Sequence, residues 1–285
     1  MSSNDIIPGS VEPEMLKLVV SYDGTDFSGS QIQPGQRTVQ GELERALSRL
    51  LPEETRITLA GRTDRGVHAA GQVVSLPDTR PDLEHETIAR ALNALLPADV
   101  AIVSVERAKA RFHARYDAKW REYRYRLWVG NREPLVRRQV WMTAGQLDAE
   151  RMISPAAALV GEHDFGAFAG SGQGVPWSAR QEAPRGTNRR VFHTEFVRMD
   201  PWWAQAGRQG QLWEFRIVAD GYLPKMVRNI VGSLVEIGRG NRPQTWIEEL
   251  LAARDRRCAA GVVPPEGLHF WRIGYGTERP RAEER

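Results

Sequence analysis

Apolar residues recur along this chain at two spacings, and the switches between them lay out its elements. Leu16, Leu18 and Val20 alternate with their neighbours, the period of a half-buried strand. Behind Thr38, a residue able to cap a helix, Val39, Leu43, Ala46, Leu47 and Leu50 fall three and four apart up to Pro52, which predicts a helix closed by that proline. Positions 56–60 and 72–76 read as two strands. Ile88, Leu92, Leu95 and Leu96 mark a second helix ended by Pro97, and 100–105 a further strand. The order is β-α-β-β-α-β.

A comparable order follows in the second half. Positions 121–129 alternate as a strand, 148–160 are helix-like despite Pro155, and 191–199 and 212–219 are strands. Met226, Ile230, Leu234 and Val235 line one helix face, Thr245 is able to cap a shorter helix, and 268–273 is a closing strand. The expected fold is therefore α+β, with two related halves carrying antiparallel or mixed sheets. The expected division is an N-terminal extension (1–14), an α+β domain (15–110), a second α+β domain (111–276) and a polar tail (277–285). Gly170–Gly174 and Pro184–Arg190 read as parts of one long flexible loop.

Charge changes this picture by its distribution. The whole chain of 285 residues has 39 Lys+Arg against 36 Asp+Glu, a net +3. Between Arg107 and Arg138, however, eleven basic residues face three acidic ones, Asp117, Glu122 and Glu133, so that this window carries +8 and the remainder −5. The window also holds Phe112, Tyr116, Trp120, Tyr123, Tyr125 and Trp128. Cations for phosphates interleaved with flat rings for bases are what a nucleic-acid groove needs, although a solvated strand face over core aromatics has the same composition. The single cysteine, Cys258, excludes a disulfide framework, and without Cys-x-x-Cys or His-x3-His spacing no metal site is expected. The first residues, MSSNDIIPGSVEPE, lack the basic-then-apolar order of a signal peptide, and no apolar run approaches ~18 residues. A cytoplasmic protein without a membrane partner is the expectation.

Phosphate-binding loops, dinucleotide fingerprints, hydrolase elbows and the zinc deaminase signature are all missing. The densest set of reactive residue types is Gly61-Arg62-Thr63-Asp64-Arg65-Gly66-Val67-His68, between two predicted strands. Its glycines allow a close approach to a ligand, and cations flanking Asp64 favour a charged carboxylate suited to act as nucleophile or base. A hairpin with an Asp-Arg-Gly turn uses the same residues, and composition leaves both readings open. Tyr123 and Tyr125 share one strand face opposite Arg124 and Arg126, a pattern that favours core over base stacking. Arg228 lies close to the apolar stripe of its helix, where an arginine calls for a carboxylate partner. His68 and His113, each isolated, read as structural histidines.

Five stretches in order carry a family resemblance: SYDGTDFSG at 21–29, GRTDRGVH at 61–68, FHARYDAKWREYRY at 112–125, MVRNIVGSL at 226–234 and EGLHF at 266–270. Together they resemble the bacterial tRNA pseudouridine synthase A family, over almost the whole chain from Leu16 to Tyr275. The resemblance implies the pseudouridine synthase fold, with its two halves flanking a central RNA-binding cleft, a homodimer, no cofactor, and tRNA as partner. The implied reaction isomerises uridine to pseudouridine in the anticodon stem-loop, nominally at positions 38, 39 and 40. By the same resemblance Asp64 is the catalytic aspartate, Arg228 its arginine partner, Tyr123 the ring that stacks on the target base, Arg62 the residue entering the RNA beside the flipped nucleotide, and Leu268 an apolar wall of the base pocket. The chain departs from the family pattern in Gly29-Ser30-Gln31-Ile32-Gln33, where an aromatic and a charge are lost. Further departures are Ala169, Pro224, Lys225 and an enlarged 170–190 loop. Two alternatives remain: an RNA-binding protein without catalysis, and a related synthase acting on other RNA uridines.

Overall fold

The computed structural model describes residues 14–51, 55–143, 145–170, 186–201, 203, 210–276 and 278. Ten strands, β1 (Met15–Tyr22), β2 (Thr58–Leu59), β3 (His68–Pro77), β4 (Val100–Ala108), β5 (Trp120–Gly130), β6 (Trp141–Thr143), β7 (Gly161–Asp164), β8 (Asn188–Met199), β9 (Gly210–Ala219) and β10 (Leu268–Gly274), form one mixed sheet. Its order is β4-β1-β3-β10-β5-β9-β8-β7, with β2 beside β3 and β6 beside β5. The helices are α1 (Val39–Leu50), α2 (His85–Leu95), α3 (Ile153–Ala157), α4 (Met226–Gly238) and α5 (Trp246–Ala253).

The expected α+β class holds, and the strands of both halves join one sheet. The join is made by β10, which pairs in parallel with β3 only through His269 with His68 and Phe270 with Ala69, and antiparallel with β5 along most of its length. The last strand in sequence thus sits in the middle of the sheet.

Alternation puts Leu16, Leu18 and Val20 of β1, Tyr123 and Tyr125 of β5, Phe215 and Ile217 of β9 into one core with the apolar faces of α1, α2, α4 and α5. Thr38 caps α1 as expected, its hydroxyl accepting from the Gly41 amide. The other face of the sheet carries a buried ion network. On it Arg124 Nε donates to Glu122 (2.8 Å), and Glu214 receives Arg124 Nη1 (3.3 Å), Arg126 Nε (2.9 Å) and Arg216 Nε (2.8 Å). Trp271, at an irregularity in the β10 register, lays its ring 3.9 Å from the Arg124 guanidinium carbon. The basic window is therefore no single exposed track: its strand portion is buried on both faces because β5 is central, while Lys109, Arg115 and Lys119 before it are exposed.

Four boundaries differ from expectation. The 148–160 stretch is a 3₁₀ turn at Glu150–Met152 followed by the five residues of α3, which place Pro155 in the first turn, where no intrahelical amide is required of it. Strand 56–60 shrinks to two residues, and β3 begins at His68, inside the stretch expected as loop. Asn188–Arg190 open β8 instead of closing a loop; residues 171–185, the rest of that expected loop, lie outside the described residues, as do 1–13 and most of the tail. β6 and β7 are too short for their alternation to register.

Candidate active site

The loop from Gly61 to Val67 connects β2 to β3 and is fastened through backbone groups of Gly61, Thr63, Asp64 and Val67. Gln72, fully buried on β3, accepts from the Gly61 amide (3.2 Å) and donates to the Gly61 carbonyl (2.8 Å). Ser30 holds both backbone groups of Thr63, its hydroxyl accepting from the Thr63 amide (2.9 Å) and its own amide donating to the Thr63 carbonyl (3.0 Å). The Thr63 hydroxyl meets the Tyr22 hydroxyl at 2.8 Å, and the Val67 amide closes a turn onto the Asp64 carbonyl at 3.1 Å. Gly66 has φ +79°, and a Cβ there would lie 2.8 Å from Pro265 Cγ, so conformation and space both call for glycine.

The fastened loop projects Asp64, and α4 brings Arg228 to it from the other side of the chain. Arg228 Nη1 stands 3.7 Å from Asp64 Oδ2, an ion pair just beyond hydrogen-bonding distance. The Asp64 side chain is 44% exposed against 11% for Arg228, so the carboxylate is open to a substrate while its partner is fixed within the protein. Arg228 Nε donates to the Val263 carbonyl at 2.7 Å, which turns the rest of the guanidinium toward Asp64. Burial lowers the proton affinity of Arg228, and Asp64 opposes that shift.

Tyr123 forms the floor. Its ring sits edge-on to Tyr222 (4.8 Å) and Phe270 (5.0 Å), and its hydroxyl donates to the Arg62 carbonyl at 3.5 Å. Burial raises its phenol pKa well above the usual value. The Arg62 side chain is exposed at the loop rim. Leu268 is buried at the start of β10, paired with Tyr125 one alternation along from the Tyr123–Phe270 pair. The structure thus brings Asp64, Arg228, the Arg62 backbone and Tyr123 together around one loop. Leu268 makes no described contact with Asp64.

Several residues that shape the site carried no motif signal strong enough to single them out. Gln72 stands alone as an amide in an apolar strand, a detectable oddity; the Val263 carbonyl, a backbone group, leaves no trace in sequence. Among the described residues no three His, Cys, Asp or Glu lie close enough to hold a metal ion, and no helix is long and apolar enough to cross a membrane.

The site is thus an open carboxylate on a glycine loop, charge-paired with a largely buried arginine and bordered by the Tyr123 ring. The chain belongs to the tRNA pseudouridine synthase family, whose model matches residues 18–117 and 156–276. It is 40% identical over 268 residues to tRNA pseudouridine synthase A of Geobacillus kaustophilus, covering 93% of this chain and 96% of that one. The protein of the same name from Solidesulfovibrio magneticus is 42% identical over 270 residues, with 92% and 91% covered, and that from Chloroflexus aurantiacus 42% over 262 residues, with 91% and 88% covered. This membership makes the chain an enzyme of the isomerase class.

Proposed function

We propose that this chain converts uridine to pseudouridine in the anticodon stem-loop of tRNA, nominally at positions 38, 39 and 40, with Asp64 as the reacting carboxylate. The carrying observation is the open Asp64 carboxylate held on a fastened loop against a buried arginine. The reaction breaks the bond from N1 to the sugar, turns the base and rejoins it through C5; the C5 proton leaves and N1 takes one, so composition is unchanged. Neither a redox cofactor nor a phosphate donor enters that balance. Asp64 acts by attacking sugar or base, or by removing a sugar proton. Extruding the base costs a few kcal/mol, least for a loop uridine, and Tyr123 offers the face that receives it. Exposed Arg62 fits entry into the space the base leaves, and Leu268 an apolar wall of its pocket.

The active form in this reading is a cytoplasmic homodimer, an assignment that follows the family resemblance and that light scattering of the purified protein checks. The family departure at Ser30 argues for catalysis rather than for a binder that has lost it, because the Ser30 side chain is buried in support of Asp64's loop. The test is incubation of the purified protein with unmodified tRNA transcripts, without cofactor, followed by carbodiimide labelling and primer extension. New stops in the anticodon stem-loop are expected. Their absence, with tRNA binding intact, rejects the reading in favour of a non-catalytic binder; stops elsewhere assign a synthase of other RNA uridines.

A further inference from the structure

The polar positions of α4 do more than present Arg228. They grip the segment 256–264: Asn229 Oδ1 accepts from Arg256 Nη2 (3.0 Å), Ser233 Oγ accepts from the Ala260 amide (3.4 Å), and Arg228 reaches the Val263 carbonyl (2.7 Å). A Cβ at Gly232 would stand 2.4 Å from the Gly261 carbonyl oxygen, so the helix and this strap lie backbone to backbone. Between the strap, the C-terminal half of α4 and Trp141 is a cavity of about 450 Å³. Arg239, Arg242 and Arg257 line it, and Glu236 is the one carboxylate among its lining residues.

These arginines are not equally engaged. Arg239 is held by Glu236 (3.2 Å) and Thr143 (3.1 Å), and Arg257 by Asp255. Arg242 has no carboxylate partner among the described residues; its guanidinium carbon lies 4.8 Å from the centre of the Trp246 ring. That stacking limits the side chain's freedom and leaves its donors directed to solvent or to a ligand. At ~1.5 Å of rise per residue, the eleven steps from Arg228 to Arg239 span ~16 Å, so the arginine end of the cavity lies away from the reacting carboxylate, while Val263 lines its near end beside Arg228.

We propose that this cavity binds phosphodiester groups of the RNA substrate, several nucleotides away from the target uridine. The proposal rests on the reading of the chain as a tRNA synthase. Guanidinium donors match phosphate oxygens in pairs, and with Arg239 paired to Glu236 and Arg257 to Asp255, the unpaired Arg242 leaves a net positive charge that selects an anion. The half-exposed Trp141 supplies an apolar face for the attached sugar or base. A free nucleotide has the same chemistry, and the test separates the two sources.

The test measures wild-type protein, Arg242→Ala, Arg257→Ala and the double variant for equilibrium binding of unmodified tRNA between 50 and 200 mM salt, with melting temperature as the check on folding. A parallel measurement follows single-turnover pseudouridine formation at saturating enzyme. Arg49→Ala on α1, outside the cavity lining, is the control. The double variant is expected to bind about tenfold more weakly at 50 mM salt, with a salt slope smaller by about 1 for each phosphate no longer neutralised, and to isomerise bound tRNA at the wild-type rate. Affinity and slope equal to those of the control overturn the proposal. So does AMP binding that is lost in Arg242→Ala while tRNA affinity stays at wild-type strength, which assigns the cavity to a free nucleotide. A wild-type protein that forms no pseudouridine, with the binding differences present, removes the catalytic reading and leaves the cavity assignment standing.

Discussion

At 3.7 Å, Arg228 and Asp64 are close enough for charge to hold them together and too far for a hydrogen bond, a spacing that a substrate can tighten. Asp64→Asn keeps the shape and removes the charge. It is expected to lower pseudouridine formation by about 10³-fold or more while tRNA affinity stays within about threefold, measured by single-turnover labelling and filter binding. Arg228→Lys retains a cation but loses the planar fork and the bond to Val263; a fall in kcat of about 10- to 100-fold with little change in KM is expected from steady-state rates. His68 and His269 stack at 4.8 Å across the β3–β10 join. Burial holds both imidazoles below their ordinary 6.5, against the pull of Asp23 on His68 and with Arg126 adding to the shift on His269. The unfolded chain therefore binds more protons than the folded one below that value, and stability, complete above pH 6.5, falls as the pH drops below it. Melting temperatures between pH 7.5 and 5.5 should show this, and His269→Gln should flatten the slope. At this scale Asp64 was legible because its whole octapeptide is contiguous. The Val263 carbonyl was not, since every residue carries one.

Among the elements, the Asp64 loop and the strap behind α4 are the two whose placement decides the geometry. Ser30→Ala leaves the buried Thr63 amide without its acceptor, which costs about 1–3 kcal/mol and loosens the residue next to Asp64. A fall in kcat exceeding any change in tRNA affinity, with partial rescue by Ser30→Thr, is the expected result. Gly232→Ala drives a methyl group into the Gly261 carbonyl and shifts the strap that orients Arg228; reduced kcat with a lowered melting temperature should follow. Apolar periodicity located α1, α2, α4 and the seven longer strands, because each of these elements buries one regular face. It overextended the helix at 148–160, where apolar residues continue past the point at which local turns take over. It also missed β6 and β7, whose three and four residues gain their pairing from neighbours rather than from their own pattern.

Across the whole molecule, the buried charges on the far face of the sheet are the most sensitive feature. Glu214 is fully buried and serves Arg124, Arg126 and Arg216 together. Glu214→Ala removes the carboxylate these cations share, leaving Arg124 with Glu122 and Arg216 with Glu195, and a loss of about 3 kcal/mol in urea unfolding is expected. The sequence by itself determined the α+β class, the helix faces, the family and the choice of Asp64 as the carboxylate to test, because these reside in local periodicity and contiguous motifs. Only the tertiary structure decided that both halves share one sheet, that β10 closes it beside β3, that the basic strand of the window is buried in ion pairs, and that Ser30, Gln72 and Val263 hold the site. Those facts depend on pairings between residues tens to hundreds of positions apart, and on which groups lose water together when the chain closes, neither of which local spacing records.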